Sequence, residues 1–405
     1  MGKEFYSMSY ILVDHYQELK QDLEQAIGVA TKIVKRNIKK FGSGDVYPTA
    51  HKNGKYVAIK QGDVRGHYWV EGFWTGQLWL SYEATGDEAF RALAERNVDD
   101  FYKRVVENNH IDWHHDTGFL YSPSCVAAYM LTGNQTAKKA AELAAYSLSR
   151  RFRYKGNFIQ SMGSEIEEEN YRFIVDTMLN LPLLFWATKE TGDDSYRQKA
   201  IAHIETTLKY AMRDNGTTYH HVLMNNQTGE LVRGLTWQGA GDDSCWSRGQ
   251  AWVVYGLALA YAYTKDEAIL EPFCKVTDYF MEHLPKDFVP YWDFIYTDGD
   301  DEPRDSSAAA ITACGIMEMA KHLPVDVCGM QGYLDTTAEM MRSMMKNYAA
   351  TYESGEEGLL LHSTGGKPQG DYDSCLPYGD YYYLESPDAC HEGLEKLLVN
   401  QKRHT

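Results

Sequence analysis

The chain is poor in cysteine, and its cysteines form no recognisable pattern. Seven of them are scattered over 405 residues, and none stands in a CxxC pair. An odd number without such spacing indicates neither a disulfide framework nor a zinc ribbon. Glycine-rich phosphate loops and GxSxG motifs are also lacking. We therefore expect reduced thiols in a cytoplasmic protein that needs no cofactor.

Long apolar runs and excess positive charge are lacking as well. Nowhere do eighteen uncharged apolar residues follow one another, and the N-terminus has no apolar stretch of signal-peptide length. The formal net charge is −17, from 57 acidic and 40 basic residues. Such a field repels the phosphates of nucleic acids, and no basic block suggests a membrane surface. We expect a soluble intracellular protein that binds neither nucleic acid nor membrane.

Aromatic residues are abundant instead. The chain has 30 tyrosines and 9 tryptophans, a supply that suits the lining of a site that stacks on ring-shaped ligands. The alternative is that these residues pack at the edge of the core. The hydrophobic content of 44% is enough for a sizeable core in either case.

The hydrophobic periodicity predicts helices that alternate between apolar and amphipathic, the pattern of a helix-pair repeat. Three apolar segments end in Thr-Gly-Asp or Thr-Gly-Asn, where the glycine marks a helix end. No run of alternating strands is convincing. The predicted segments are 16–40, 69–84, 88–108, 117–131, 136–151, 170–189, 195–213, 247–263, 267–284, 306–322, 331–348 and 387–400.

The connections between these helices differ in length. Links from an apolar helix to the next amphipathic one are short, whereas the links back, such as 214–246, are long. In an antiparallel alternation all long links lie on one side, in an open solenoid and in a closed ring alike. Apolar helices that need cover all round favour closure into an (α/α)6 barrel of six inner and six outer helices. We predict one all-α catalytic domain over 1–405, with function at the mouth that carries the long loops.

Asp176 stands inside the apolar stretch NYRFIVDTMLNLPLLFW, 170–186. A carboxylate buried in such a helix loses hydration, so its pKa should rise and it could hold a proton near neutral pH, as a general acid must. The alternative is an N-cap for a helix that starts at Thr177. No capping box would form there, because the third residue inside is Leu179.

Asp116 is the second carboxylate of interest, in WHHDTGF, 113–119. It is either the N-cap of the helix that follows or the partner of Asp176, since most glycoside-cleaving sites use two carboxylates. The histidine pairs 114–115 and 220–221 could bind a metal together with Asp116. Because the chain lacks an HExxH helix or closely spaced ligand set, we expect these histidines to donate hydrogen bonds and predict no metal.

Five stretches of the sequence, taken together and in order, carry a resemblance to a known family. They are WHHDTGFLYSPS (113–124), IVDTMLNLPLLFWA (174–187), TWQGAGDDSCWSRGQAW (236–252), PRDSSAAAI (303–311) and GDYYYLE (379–385). The chain resembles the unsaturated glucuronyl hydrolases, glycoside hydrolase family eighty-eight. The resemblance implies an (α/α)6 barrel without metal. It also implies a cytoplasmic enzyme that removes the 4,5-unsaturated uronic acid from the non-reducing end of oligosaccharides released by polysaccharide lyases.

The resemblance also implies roles for individual residues. Asp176 corresponds to the acid/base aspartate of the family and Asp116 to its partner. Contacts with substrate are implied for His115, for His220 or its neighbour His221, and for Gln238, Arg248, Trp252, Trp69, Trp74 and Tyr381.

Ser363 and Lys367 bear on the choice of substrate. They resemble, in compressed form, a serine- and lysine-containing motif of family members that accept sulfated disaccharides. We expect oligosaccharides that end in an unsaturated uronic acid, of the glycosaminoglycan type, with tolerance for sulfate through Lys367. We also expect a monomer or weak homo-oligomer. The alternatives are an unsaturated rhamnogalacturonyl hydrolase that acts on pectin fragments and a non-catalytic helical-repeat protein that binds carbohydrate.

Overall fold

The computed structural model describes residues 2–43, 46–60, 69–107 and 113–386. In chain order the helices of this part are α1 (Gly2–Phe41), α2 (Val70–Thr85), α3 (Glu88–Val106), α4 (Thr117–Tyr121), α5 (Ala127–Thr132), α6 (Gln135–Arg150), α7 (Pro182–Thr191), α8 (Ser195–Tyr210), α9 (Ser247–Thr264), α10 (Leu270–Glu282), α11 (Ser306–Ala320), α12 (Met330–Ser343) and α13 (377–386). A π-helical turn, Ser122–Val126, joins α4 to α5 as one inner segment.

Inner and outer helices differ in how much of their surface is buried. The inner helix α9 buries consecutive residues on all its faces, from Ser247 to Ala258. The outer helix α10 buries Phe273, Val276, Thr277 and Phe280, the spacing of a single apolar stripe. The inner layer comprises α2, α4–α5, α7, α9, α11 and α13, and the outer layer α1, α3, α6, α8, α10 and α12. The predicted (α/α)6 barrel is confirmed.

Glycine ends three of the inner helices, as the sequence predicts. Gly86, Gly133 and Gly192 have φ angles of 67°, 72° and 76° and lie in the left-handed region, which glycine enters without a Cβ penalty. The backbone N–H of each donates to a carbonyl in the last turn of its helix. These tight turns occupy the mouth of the barrel opposite the long connections.

Short antiparallel strands lie in the long connections, although the sequence suggested no strands. They are β1 (Val46–Lys52), β2 (Lys55–Lys60), β3 (Phe152–Arg153), β4 (Phe158–Ile159), β5 (Arg172–Ile174), β6 (His221–Met224) and β7 (Leu231–Leu235). They form two hairpins and one three-stranded sheet with the order β5-β6-β7. This last sheet forms one side of the mouth with the long connections.

One helix prediction is wrong, and another falls on residues that the structure does not describe. A single helix over 170–189 is wrong, because β5 is followed by a 3₁₀ helix, Val175–Leu179, and α7 begins only at Pro182. Proline has no N–H to donate and suits the first turn of a helix. The predicted helix 387–400 lies outside the described residues. The inner helix that completes the ring is α13, in a stretch expected to be loop.

The cysteines also depart from expectation. Cys274 and Cys328 form a disulfide, with Cα atoms 5.8 Å apart, so the prediction that all thiols are reduced is wrong for this pair. Cys125, Cys245, Cys314 and Cys375 are free and buried. Across the described residues, every helix is too short or too polar to cross a lipid bilayer.

Candidate active site

A cavity of about 260 Å³ opens at the mouth that carries the long connections. It brings together residues from six separate parts of the chain. Its lining consists of Trp69, His114, His115, Asp116, Met162, Arg172, Ile174, Asp176, His220, His221, Trp237 and Gln238. Six of the sequence-predicted site residues are therefore neighbours here, and His221, the alternative to His220, is a seventh.

Asp176 lies in the 3₁₀ helix between β5 and α7, where the backbone changes from extended to helical. Its side chain is 19% exposed, and the Oδ2 atom is buried without a hydrogen-bond partner. The N-cap of this short helix is Ile174, so the capping alternative for Asp176 does not hold. The backbone carbonyl of Asp176 accepts a hydrogen bond from Asn180 Nδ2 at 3.1 Å, which fixes the turn.

Burial raises the pKa of Asp176 to about 7. The negative charge of Asp116 acts in the same direction, whereas the positive charge of Arg248 and the indole N–H of Trp252 oppose it. The Trp252 Nε1 atom makes no hydrogen bond of regular geometry, so it acts as a nearby dipole. Both protonation states of Asp176 are accessible at neutral pH, which suits a group that first gives and then takes a proton.

Asp116 occupies the N-cap position of α4, yet its side chain caps no backbone N–H. Instead Oδ2 lies 2.8 Å from Nδ1 of His114, and Oδ1 lies 3.3 Å from Nε2 of His115. Burial alone would raise the pKa of Asp116, but the two histidines, with hydrogen bonds from His114 and Asn180, bring it below its usual value. At neutral pH Asp116 is therefore an anion in the same cavity as the partly protonated Asp176.

Gly118 and Asn180 bring the two carboxylate-bearing segments into contact. A Cβ atom at Gly118 would lie 2.4 Å from the Asn180 Cα atom, so only glycine permits this approach. The Oδ1 atom of Asn180 accepts a hydrogen bond from the backbone N–H of Phe119 at 2.8 Å. Asn180 is thus tied to the backbone of both segments, and it fixes Asp116 and Asp176 on adjacent walls.

The histidines of the cavity are held by specific partners. His220 Nδ1 faces the backbone N–H groups of Trp237 and Gln238, each at 3.3 Å, so it accepts and the ring proton sits on Nε2. Nε2 lies 3.8 Å from Asp176 Oδ2. The Nδ1 atom of His115 lies 2.6 Å from the hydroxyl of Thr177. Burial lowers the pKa of both histidines, which keeps them neutral.

Arg248 lies behind the cavity wall and is 2% exposed. It donates from Nη1 to Asp305 Oδ2 at 2.6 Å and to the carbonyl of Thr364, and from Nη2 to the carbonyl of Gly365 at 2.6 Å. These bonds anchor the loop that begins at Ser363. Arg248 therefore supports the site and contributes its charge to the field at Asp176.

The other polar residues implied by the resemblance lie around that loop. Gln238 lines the cavity and donates from Nε2 to the Gly365 carbonyl at 2.6 Å. Ser363 is fully buried and shares a hydrogen bond of 2.8 Å with Ser306. Lys367 is partly exposed, and its Nζ atom lies 2.5 Å from Glu302 Oε2.

The aromatic candidates fall in three different places. Trp69 lines the cavity and stacks on Tyr378, with ring centroids 5.3 Å apart. Trp252 is buried one layer below, against Phe119. Trp74 is buried in the core and is not brought to the cavity.

Tyr381 lines a separate cavity of about 210 Å³ nearer the opposite mouth. Its hydroxyl donates to Glu385 at 2.9 Å. The structure therefore does not bring Tyr381 to the cavity that contains the two aspartates.

In the described part of the chain, one group of side chains could hold a metal ion. His114, His115 and Asp116 each offer a ligand atom, all within 4.8 Å of one another. Asp116 already contacts both histidines, at 2.8 Å from His114 Nδ1 and 3.3 Å from His115 Nε2, and the Thr177 hydroxyl lies 2.6 Å from the other ring nitrogen of His115. Nothing in this arrangement requires an ion, and the expectation of a metal-independent site stays a prediction.

The sequence did not reveal several residues that shape the site. Tyr378 lies under Trp69, and Asp305 is the counter-ion of Arg248. Arg172 and Trp237 line the cavity itself. Asp305 could have been found, since it falls within the stretch PRDSSAAAI, whereas Arg172 carries no recognisable signal.

The (α/α)6 barrel holds an ionised and a partly protonated aspartate in one cavity, and a pair of carboxylates is what most carbohydrate-cleaving enzymes use. The family model described as Glycosyl Hydrolase Family 88 matches residues 30–391, and the chain belongs to this family. This confirms the resemblance and overturns the non-catalytic alternative.

Similar proteins of known name and similar solved structures agree with this family assignment. The chain is 41% identical over 369 residues to the unsaturated chondroitin disaccharide hydrolase of Streptococcus pyogenes serotype M1, covering 91% of this chain and 90% of that one. A crystal structure of unsaturated glucuronyl hydrolase from Streptococcus agalactiae matches with a TM-score of 0.87, 40% identity and 91% coverage of both chains. A mutant of that enzyme complexed with dGlcA-GalNAc6S matches with a TM-score of 0.80, 37% identity and 92% coverage of both.

Proposed function

We propose that this glycosidase removes the 4,5-unsaturated uronic acid from the non-reducing end of glycosaminoglycan oligosaccharides released by polysaccharide lyases. The observation that carries the proposal is Asp176, a carboxyl with a pKa near 7 beside the ionised Asp116. The Streptococcus pyogenes relative, named for unsaturated chondroitin disaccharides, supports this substrate class.

The chemistry starts from the double bond of the substrate. The C4=C5 bond is conjugated to the ring oxygen as a vinyl ether, so a proton added at C4 leaves an oxocarbenium ion centred on C5. Protonated Asp176 delivers that proton and then, as a carboxylate, takes a proton from the water that attacks C5. The resulting hemiketal opens to a ketone at C5 by breaking the bond between C5 and the ring oxygen, which leaves a hemiacetal at C1. This hemiacetal collapses to an aldehyde, breaks the glycosidic C1–O bond and releases the rest of the oligosaccharide with a proton on its oxygen, so the former unsaturated sugar leaves as a keto acid. The rule that relates carboxylate separation to attack at the anomeric carbon therefore does not apply.

The neighbouring groups have separate tasks. Asp116 stays ionised, orients the sugar hydroxyls and stabilises the positive charge that develops at C5. His220 directs its Nε2–H toward Asp176 and positions water or a hydroxyl between them. Gln238 contacts substrate, while Trp69 offers a flat apolar face for a sugar ring.

Lys367 is proposed to give tolerance for sulfate on the neighbouring sugar. The complex of the Streptococcus agalactiae mutant with dGlcA-GalNAc6S supports a sulfated substrate for that relative. In this chain Lys367 is paired with Glu302, which competes with an incoming sulfate. If Lys367→Ala left the relative activity on sulfated and unsulfated disaccharides unchanged, the role of Lys367 would be excluded.

Pectin fragments are the second candidate substrate, because a rhamnogalacturonyl hydrolase would use the same barrel and the same vinyl-ether chemistry. The cytoplasmic location and the oligomeric state, a monomer or weak homo-oligomer, remain predictions from the sequence.

The decisive experiment follows the ultraviolet absorbance of the unsaturated uronate. Wild-type protein and Asp176→Asn are each incubated with an unsaturated chondroitin disaccharide and with an unsaturated rhamnogalacturonan disaccharide. We expect loss of absorbance only with wild type and faster loss on the chondroitin substrate. Faster loss on the pectin fragment would favour the second candidate. Equal loss with Asp176→Asn would refute the assigned proton donor.

A further inference from the structure

Arg172 lies on the wall of the active-site cavity without an anionic partner among the described residues. Its Nε atom is buried and makes no hydrogen bond, and one amino group donates only to the Met162 sulfur at 3.3 Å. The field of Glu169 reaches Arg172, but Glu169 is exposed and makes no ion pair with it. A guanidinium left in this state presents unused donors to whatever fills the cavity.

The two cations assigned to substrate from the sequence are already engaged. Arg248 is bonded to Asp305 and to the carbonyls of Thr364 and Gly365. Lys367 is paired with Glu302. Arg172 thus differs from both, because an anion can approach it without first breaking an ion pair.

His221 supplies a second unused polar group on the same wall. It is 3% exposed, lines the cavity, and its Nδ1 atom is buried without a hydrogen-bond partner. In the sheet, Ile174 of β5 is paired with His221 of β6, and Arg172 is two residues from Ile174. Arg172 and His221 are therefore diagonal neighbours on one face of the sheet, within reach of a common small group.

Arg172 and His221 share the cavity with the proton donor Asp176. Arg172 precedes Asp176 by four residues, and the chain continues from Asp176 into α7 toward the opposite mouth. Arg172 and Asp176 both line the cavity, Arg172 from β5 and Asp176 from the 3₁₀ helix that follows it. A group bound there belongs either to the unsaturated ring or to the sugar attached to it.

We infer that Arg172 and His221 form an oxyanion subsite that holds an anionic group of the oligosaccharide. The inference rests on the proposed function and names a part of that site. A carboxylate and a sulfate ester share the chemistry required, two or more oxygens that accept from a guanidinium in a forked geometry. The carboxylate of the unsaturated uronate and the sulfate of the neighbouring sugar are thus the two sources to be distinguished.

The test compares Arg172→Gln with wild type on unsulfated and 6-sulfated unsaturated chondroitin disaccharides. We expect KM to rise about tenfold or more, with little change in kcat, because a hydrogen-bonded charge pair is lost in substrate binding. A rise on both substrates assigns the carboxylate, and a rise on the sulfated one alone assigns the sulfate. Changes below about twofold in KM on both would overturn the subsite.

Two controls separate charge from folding. Arg233→Gln removes an exposed arginine from β7 of the same sheet, outside the cavity, and should leave KM unchanged. Arg172→Lys keeps the charge and should recover part of the affinity.

Calorimetric titration with inorganic sulfate needs no turnover, so it tests the subsite even if the proposed hydrolysis is not observed. Wild type should bind sulfate more tightly than Arg172→Gln. Equal affinities would overturn the inference independently of the substrate.

Discussion

The Nε2 atom of His220 lies 3.8 Å from Oδ2 of Asp176, while Nδ1 of the same ring accepts from two backbone N–H groups. The backbone thereby selects the tautomer, and the one ring proton of His220 points at the acid. Because burial keeps His220 neutral, it orients Asp176 and its ligands without adding a charge that would lower the pKa of that carboxyl.

The pH dependence of catalysis should follow from Asp176. As the pH rises through about 7, Asp176 loses its proton, so kcat/KM should fall on the alkaline side. In Asp116→Asn the negative charge that helps to raise this pKa is gone, and the alkaline limb of the residual activity should move to lower pH. His220→Asn removes a neutral group and should leave the limb in place. If the alkaline limbs of the two pH profiles, of wild type and of Asp116→Asn, coincided, the charge of Asp116 would not raise the pKa of Asp176.

The stability of Asp176→Asn should depend on pH relative to wild type. The carboxyl titrates near 3.8 when unfolded and near 7 when folded, so between these values the unfolded state loses its proton first. Wild type therefore loses stability as the pH rises from 4 to 8, by up to about 4 kcal/mol, and the variant does not. Urea unfolding at pH 4 and pH 8 measures the difference. If the free energies of unfolding of wild type and Asp176→Asn differed by the same amount at both pH values, the pKa of Asp176 would not be raised by folding.

The ion pair between Arg248 and Asp305 should be costly to break. Both side chains are buried, so Asp305→Asn leaves an uncompensated guanidinium and should destabilise the fold by about 3–5 kcal/mol. The more exposed pair of Lys367 and Glu302 provides the control, since Glu302→Gln should cost less than about 1 kcal/mol. Chemical denaturation of the two variants, each against wild type, checks this ranking.

Glu302→Gln should also change substrate preference. Removing the carboxylate frees Lys367, so the ratio of kcat/KM for 6-sulfated over unsulfated disaccharide should rise about two- to fivefold, the value of an exposed ion pair. The double variant Glu302→Gln with Lys367→Ala should lose that gain. A ratio unaffected by Glu302→Gln would show that the ion pair does not restrict Lys367.

Gly118→Ala should damage activity through the backbone. The added methyl would lie 2.4 Å from Asn180 Cα and must push the two aspartate-bearing segments apart, at a cost of about 1–3 kcal/mol. Gly28→Ala serves as a control in α1, where nothing lies within 4 Å of the added Cβ, and should stabilise by about 0.5–1 kcal/mol. Thermal unfolding and kcat of both variants test the contrast.

The barrel could be predicted because its signals are local. Glycines such as Gly86 and Gly192 end helices through their own backbone conformation, and apolar periodicity marks the inner helices. Asp176 was also recognisable, although for the wrong structural reason. Its carboxyl lies in a 3₁₀ turn that follows β5 and packs against α9, whereas a long apolar helix was expected.

The remaining features depend on pairings between distant parts of the chain. Arg248 meets Asp305 across 57 positions, so its role as a supporting residue is not visible in its own neighbourhood. Strand β5 has three residues and is stabilised by pairing with β6, nearly fifty positions away. Local propensity carries little information about such short strands.

The connections between helices are short at one mouth of the barrel and long at the other. The helices and short turns therefore determine the fold, whereas the long loops determine which substrates bind. Helices turn back at the lower mouth in a few residues, while the loops above them, such as the one that holds Lys367, bear the groups around the cavity. It should therefore be possible to exchange these loops between relatives without disturbing the helical barrel. The upper loops are the natural units for directed evolution toward differently decorated polysaccharides.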